Sequence, residues 1–537
     1  MNETLELVSR AVGNPDVSST TARRLDSSAY FDLFDVQLPL PDFCGVPREW
    51  RFVVLNGERF RKVNGTQDAV LEDAHSIISG ESRTKLVVLV SDEPTIHLVD
   101  EFGTFAGDVF CLDHAELPHT REYKKEPRLA PFILAIRRRL SVNPLLATAF
   151  SPYQRNIPVS DWRFFGREKQ LKEIISGREN LVLVGARRVG KTSLLLEAER
   201  RLKEEGVNVY YVDVQDCRTA NEVVRELLRV VDPREAVRAL KHHEVLHDSV
   251  LANLLRRLST GSKKTVLLLD ELGNVITGLP KEDWKFMGVL RKYGSHGQLK
   301  YVMSCFQEVF FKQQDEFSGP LINFANTLRL DVLSKQEVEE FVIAPLEFWR
   351  PLGTARPQLL DLVVSNVGSH PYFLQFFCHA LFDRFTGDRN FSPIHQANLL
   401  LKKDVSQWFQ SAVDEIFFRI PSPTLQYLFL RRCHEAESSG LTLNHVELDD
   451  DWLEKTLTDL GYRSTVRSRR NLLDGMEMHG LCTPISYDRA KKVITAPLIY
   501  QYIQRSNSSF EHWLKKLGGE IERERSAWEL ELLSASG

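Results

Sequence analysis

Leu181-Val182-Leu183-Val184-Gly185-Ala186-Arg187-Arg188-Val189-Gly190-Lys191-Thr192-Ser193 is the stretch whose reading decides the fold. Its first four residues are all apolar, as in a strand of a parallel sheet covered on both faces. The next eight fit the pattern G-x-x-x-x-G-K-[ST], and residues 192–204 then take up a helical pattern. Strand, glycine turn and helix in that order are the context that gives the pattern its meaning. Gly185 and Gly190 are expected to allow backbone angles that other residues resist, so that successive N–H groups point inward. With the helix N-terminus they form a nest for a β-phosphate. Arg187, Arg188 and Val189 belong to the same turn. Lys191 places an ammonium at the β- and γ-oxygens, Thr192 offers a hydroxyl to Mg²⁺, and Ser193 assists at the α-phosphate.

A second element is needed to hold the metal. Val266-Leu267-Leu268-Leu269-Asp270-Glu271 supplies it, a buried strand that delivers two acids to its carboxyl edge, where open α/β sheets bind ligands. Asp270 is expected to hold the magnesium hydration shell, and Glu271 to polarise an attacking water. Adjacent strand side chains point oppositely, which would let the two acids do different work. Ser304 and Gln307 follow another buried run, 299–303, and a polar group there would sense a γ-phosphate or orient water. Arg291 reads as a charge near a helix end, with a phosphate contact as the alternative.

Outward from this centre, strands are expected at 207–214, 266–269, 299–303 and 327–330, with helices at 192–204, 220–232, 246–259, 281–292 and 334–344. That alternation predicts right-handed crossovers and a three-layer α/β domain around a parallel sheet. Upstream, short β-branched runs at 51–56, 84–91 and 108–113, with a helix over 69–78, predict a small α/β domain. A helical pattern over 129–147 and a linker with Pro152 and Pro158 follow. Downstream of Pro345 the strand signal fades. Two helices broken at Gly368–Pro371 are expected over 356–386, then helices and a short hairpin (483–485 and 492–495), then one charged amphipathic helix over 509–534.

Composition agrees with an ordinary globular chain. It has 537 residues, 43% hydrophobic and 26% charged, with a formal net charge of -4. At about 150 residues per domain that is roughly three to four domains. A fibre, a coiled-coil rod or a largely disordered chain is excluded. The acidic balance confines any nucleic-acid contact to a local patch. Seven cysteines at 44, 111, 217, 305, 378, 433 and 482 form no CxxC pair, which predicts a reduced protein without a disulfide framework or structural zinc. The N-terminus lacks the order of a signal peptide, and no apolar run approaches the ~18 residues that span a bilayer, so a soluble, cytoplasmic protein is expected.

Four segments carry a family resemblance: Phe164-Phe165-Gly166-Arg167-Glu168, the GARRVGKTSLL run, the LLLDE run, and Gly368-Ser369-His370-Pro371-Tyr372. Together they resemble the STAND and archaeal-type ATPases, AAA+-related P-loop proteins close to the origin-recognition ATPases. The likeness covers roughly 164–505. It implies a three-layer parallel-sheet P-loop NTPase core with a helical lid and a winged-helix domain. It also implies ATP and Mg²⁺ as ligands, with Phe165, Gly166 and Arg167 bordering the adenine and His370 and Pro371 approaching the nucleotide from the lid. The Gly368–Pro371 segment carries one residue more than the family's GxP-type pattern, and no residue stands out as an arginine finger.

Three other signals compete. His243-Glu244-Val245-Leu246-His247 matches H-E-x-x-H, but no third histidine sits at ligand spacing and the acid-bearing strand begins about 20 residues on. A catalytic zinc needs that third ligand, so a solvated helix face is the better reading. Arg463, Arg467, Arg469 and Arg470, then a helix over 471–479 and a hairpin with Arg489, Lys491 and Lys492, look like a winged helix-turn-helix. Asp449, Asp450, Asp451, Glu454 and Asp459 lie close by, which favours packing on the core over DNA binding. In the N-terminal domain, Asp92, Glu93, Glu122 and Lys124 make a loose metal-nuclease pattern; ligand sensing or partner binding fits the segment better.

The domains expected are 1–145, an N-terminal α/β sensor or effector; 146–163, a linker; 164–345, the P-loop core; 346–400, the lid; 401–505, the winged helix; and 506–537, an amphipathic helix. The function expected is an ATP-hydrolysing switch in signalling or defence. The alternatives are a DNA-handling ATPase and an N-terminal nuclease-like enzyme gated by the ATPase. The partners this allows are ATP, a second copy of the chain, a protein at the N-terminal domain and DNA at the winged helix, with no membrane.

Overall fold

The computed structural model describes residues 3–12, 22–37, 49–80, 87–98, 109–112, 114, 117, 131, 136, 151–160, 163–241, 248–261, 263–273, 275, 285–294, 298–305, 325–349, 352–387, 392–402, 405–485, 488–508 and 510–533. The chain forms two compact units. One comprises residues 1–152, 343–355 and 379–396; the other comprises 153–342, 356–378 and 397–537. Cys44, the H-E-x-x-H segment, Glu122, Lys124, Gln307 and nearly all of 129–147 lie outside the described residues.

In the first unit five strands stand in the order β1-β2-β3-β4-β5: β1 (Ala22–Ser27), β2 (Phe31–Gln37), β3 (Glu49–Leu55), β4 (Val87–Val90) and β5 (Val109–Leu112). The first three are antiparallel neighbours, and β3, β4 and β5 run parallel. Sequence reasoning found the parallel half only. The hairpin β1–β2 escaped it because ARRLDS and FDLFDVQ carry charges that break the apolar pattern. Their charges are used internally. Asp32 is fully buried and is held by Arg24 (2.7 Å), by Asn56 Nδ2 (3.1 Å) and by Arg59. Arg51 meets its cross-strand partner Asp35 at 3.0 Å. Phe31, Leu33, Val53, Leu55, Val87 and Leu89 pack with Val70 and Ala74 of the helix Gln67–Gly80.

The second unit is built on a parallel sheet of order β10-β6-β9-β8-β7, from β6 (Leu181–Gly185), β7 (Asn208–Asp213), β8 (Thr265–Asp270), β9 (Leu299–Cys305) and β10 (Asn326–Leu330). All pairings are parallel. Alternate residues feed two cores. Val182, Val184, Leu267, Leu269 and Met303 pack with the helices Ala220–Val231, Asp248–Ser259 and Lys285–Gly294. Leu181, Leu183, Val266, Leu268 and Val302 pack with Glu168–Ser176 and Lys191–Glu204. Covering both faces makes three layers and explains the unbroken apolar strands. Each fully buried leucine or valine contributes about 2 kcal/mol. Local signals agree with the packing: Thr219 and Glu222 form a capping box at the start of the helix Ala220–Val231.

Beyond the sheet come the helices Ala355–Asn366 and Pro371–Gly387, separated at Gly368–His370. Helix Pro423–Ser438, β11 (Glu447–Leu448), helices Asp450–Asp459 and Val466–Met478, then β13 (Cys482–Ile485) and β14 (Asp488–Ile494) follow the order of a winged helix. Strand β12 (Tyr462–Arg463) pairs with β15 (Glu531–Leu532). The tail is therefore not one helix. It is the helix Phe510–Gly519, a turn of helix Ile521–Glu524 and a returning strand; Gly518–Gly519 and the Glu524 carboxylate bonded to Ser422 and Thr424 end the periodic run. Among the described residues no helix is long and apolar enough to cross a membrane. The six described cysteines are free and buried.

Candidate functional site

The register of the second sheet brings its chemistry to one edge. Asp213 of β7 stands beside Asp270 of β8, Leu269 beside Met303 of β9, Val184 beside Cys305, and Gly185 beside Leu330 of β10. The turn from β6 into the helix Lys191–Glu204 lies at that edge. Gly190 has φ +101° and Arg188 φ +60°, so the turn is bent through left-handed backbone at two positions, one of them not glycine. Gly185 corrects the sequence expectation. Its φ is outside the left-handed region; glycine is required there because a Cβ would lie 2.5 Å from the carbonyl oxygen of Leu330.

Lys191 is buried, and its Nζ donates to the carbonyls of Gly185 (3.0 Å) and Ala186 (3.1 Å). Burial pulls its pKa down, against the pull of Glu271 and Asp270. Thr192 and Ser193 follow at the helix start, and Ser193 Oγ accepts from Val159 N–H at 3.0 Å.

Asp270 ends β8 and is 1% exposed. Its Oδ2 accepts from Tyr211 OH at 2.9 Å; its Oδ1 accepts from Ser304 Oγ and from Glu271 N–H at 3.1 Å. Glu271 has left the strand, with φ +59°, and its N–H also reaches Ser304 Oγ at 2.9 Å. The two acids thus differ through a backbone turn rather than through strand alternation. Burial raises the Glu271 pKa, with Lys191 opposing.

A cavity of about 760 Å³ opens on these groups. Of the residues expected from sequence, Arg187, Arg188, Val189, Gly190, Lys191, Thr192, Ser193, Asp270, Glu271, Phe165, Arg167 and Pro371 line it. Gly166, Gly185, Ser304 and His370 are not among its lining residues. Gly166 (φ +69°) and Arg167 (φ +62°) form the turn into the helix Glu168–Ser176; Arg167 N–H donates to Glu337 at 2.8 Å and its guanidinium to the Asp331 carbonyl. His370 is fully buried, near Gly480 and Ala186, and burial drops its pKa to about 3. Arg188 does more than shape the turn. Its guanidinium lies 3.2 Å from Glu415 and 5.4 Å from the centre of the Tyr372 ring.

Tyr211, Glu415 and His479 also line the cavity, and sequence reasoning missed all three. Tyr211 sits inside a strand recognised only for its apolar character. His479 closes the helix Val466–Met478, is 7% exposed, and burial beside Arg187 lowers its pKa to about 4. Its signal was position, three residues before the β13 hairpin strand begins.

The basic set around the winged helix is smaller than its sequence suggests. Lys492 is 1% exposed and bonds Asp474 and Glu477, each at 2.6 Å; Glu477 also faces Arg329 at 3.0 Å. Arg469 is bound by Asp450 at 2.6 Å, and Lys491 lies 3.6 Å from Glu447. Arg463, Arg467 and Arg470 are exposed. Arg291, the other cation considered, is exposed on the helix Lys285–Gly294. In the first unit Asp92 is held by Arg10 (2.7 Å) and His114 (2.8 Å), and Glu93 by Arg61 (3.2 Å).

Residues 173–305 match a family model described as an AAA domain. This part of the chain is a P-loop, AAA+-related ATPase domain. Among solved structures, a Walker-type ATPase of Pyrococcus abyssi is 16% identical, covering 65% of this chain and 99% of its own, with a TM-score of 0.44. The ORC2 protein of Aeropyrum pernix, solved as ADPNP–ADP complexes, is 13% identical over 70% and 98%, with a TM-score of 0.44. A STAND protein with a tetratricopeptide repeat sensor from Pyrococcus horikoshii is 12% identical over 67% and 45%, with a TM-score of 0.24. Comparison with curated protein sequences finds no match.

Proposed function

We propose that the second unit binds ATP with Mg²⁺ and hydrolyses it slowly, as a nucleotide-controlled switch of STAND type acting in signalling or defence. One observation carries the reading: the same cavity is lined by the phosphate turn, by the acids of β8, and by Pro371, Glu415 and His479 from segments beyond the sheet. A nucleotide held there would touch both the edge of the sheet and these downstream segments. At 1,000 times its Kd a nucleotide stabilises the bound state by about 4 kcal/mol, close to the ~5.5 kcal/mol that inverts a 1:99 equilibrium.

Within this reading the turn amides and Lys191 hold the β- and γ-phosphates. Thr192 and Asp270 would hold magnesium, which would supply neutralisation of phosphate charge. The donors fit that ion: they are oxygen ligands, and a magnesium site needs only one or two protein groups beside phosphates and water. Glu271, with its pKa raised by burial, takes the proton of the attacking water. The 1–145 segment is the input side of the switch, open to a ligand or protein partner.

The test is calorimetry of the full chain with ATP and ADP. Binding is expected, and Lys191→Ala should abolish it; unchanged affinity in the variant refutes the site. Light scattering after size exclusion, with and without a non-hydrolysable nucleotide, reads whether occupancy drives self-association.

A DNA-handling ATPase is the second reading, supported by the exposure of Arg463, Arg467 and Arg470 on and before the winged-helix segment. It predicts salt-sensitive duplex binding.

A further inference from the structure

Two buried carboxylates in this chain are treated in opposite ways. Asp32, fully buried, is neutralised by the guanidiniums of Arg24 and Arg59. Asp270, 1% exposed and facing the cavity, takes its hydrogen bonds from two hydroxyls and one amide. Neutral donors orient a carboxylate without cancelling its charge. A buried, undischarged carboxylate is costly unless a cation meets it. The ammonium of Lys191 donates to the carbonyls of Gly185 and Ala186 and acts on Asp270 through its charge, without a hydrogen bond to it among those described.

The three donors come from three places. Tyr211 is on β7, Ser304 on β9, and the Glu271 amide is the turn after β8 itself. Tyr211 takes one carboxylate oxygen, and Ser304 with Glu271 N–H takes the other. Both side-chain torsions of Asp270 are thereby fixed from two flanking strands.

We propose that Tyr211 is a positioning residue for divalent-cation binding, its phenol holding the Asp270 carboxylate in the orientation that faces the metal; this rests on the nucleotide reading above. Partners that orient a metal-facing ligand typically alter metal affinity about 10- to 100-fold when removed. Tyr211→Phe removes the donor and keeps the ring.

The experiment measures ADP and ATP affinity of the full chain twice, in excess EDTA and in excess Mg²⁺, for the unmodified chain, Tyr211→Phe and Ser304→Ala, with melting temperatures alongside. The expected result is a metal-free affinity unchanged within about twofold and a magnesium-dependent gain cut about tenfold in Tyr211→Phe, with Ser304→Ala moving the same way. A magnesium gain retained in full overturns the proposal. So does a parallel loss of metal-free affinity and melting temperature, which marks a role in folding alone. If Tyr211→Phe does not fold, Ser304→Ala carries the same comparison for the shared Asp270 cradle, and a full magnesium gain there overturns the proposal. Failure of the unmodified chain to bind either nucleotide refutes the phosphate site itself and the proposal with it.

Discussion

The Arg188 guanidinium and the Glu415 carboxylate stand 3.2 Å apart, joining the tip of the phosphate turn to the helix Val405–Ile416. Glu415 is further held by Arg419 at 2.9 Å. A residue of the glycine turn thus also grips a downstream helix. A double-mutant cycle with Arg188→Ala and Glu415→Ala should show a coupling of roughly 0.5–1 kcal/mol in urea unfolding without nucleotide, since Arg188 is partly exposed. Strict additivity would mean the pair has no energetic link.

Gly185→Ala should destabilise the chain by about 1–3 kcal/mol, because the new methyl meets the Leu330 carbonyl across rigid strands. Thermal unfolding reads this directly. An unchanged melting temperature would show that β6 and β10 can part without penalty.

Glu271→Gln keeps the shape of the turn and removes the proposed base. Nucleotide affinity should persist while turnover falls by about 100-fold or more. Full turnover would move the base role elsewhere.

Acid should loosen the second unit. His370 and His479 are held neutral, with pKa values near 3 and 4 against 6.5 when unfolded. The unfolded chain therefore binds more protons below pH 6.5, and stability falls as pH drops from there toward 4. Above 6.5 the two histidines contribute no pH dependence. The slope approaches about 1.4 kcal/mol per pH unit for each. His479→Gln should flatten it by roughly half between pH 6 and 4.5, read by urea unfolding; an unaltered slope would mean that His479 is not the group responsible.

Lys492→Met should lower stability by about 3–5 kcal/mol, leaving Asp474 and Glu477 without their shared cation. Arg467→Glu with Arg470→Glu should change stability by less than about 1 kcal/mol, as surface substitutions do. If the winged helix grips duplex DNA, only the arginine pair should change that affinity selectively.

The parallel sheet was legible because burial on both faces leaves uninterrupted apolar runs, and the phosphate turn because its chemistry forces residue types at fixed spacing. Asp270 and Glu271 followed from the same logic. What escaped was set by tertiary context. Arg24, Asp32 and Asp35 hid the hairpin β1–β2, since an internal ion pair looks like a solvated face in one dimension. Lys492 misled in the same way, reading as a basic wing when it is a core cation. Tyr211 and His479 gain meaning only when β7 lies beside β8 and the helix Val466–Met478 ends at the cavity.

The buried thiols give this chain a built-in reporter. Cys305 ends the strand that carries Ser304, Cys217 lies beyond β7, and Cys482 opens the hairpin. A maleimide offered to the native chain can react at these three only when the surrounding packing opens. The rate at which each becomes labelled, resolved by mass spectrometry with and without nucleotide, therefore maps which part of the second unit breathes, with no residue altered.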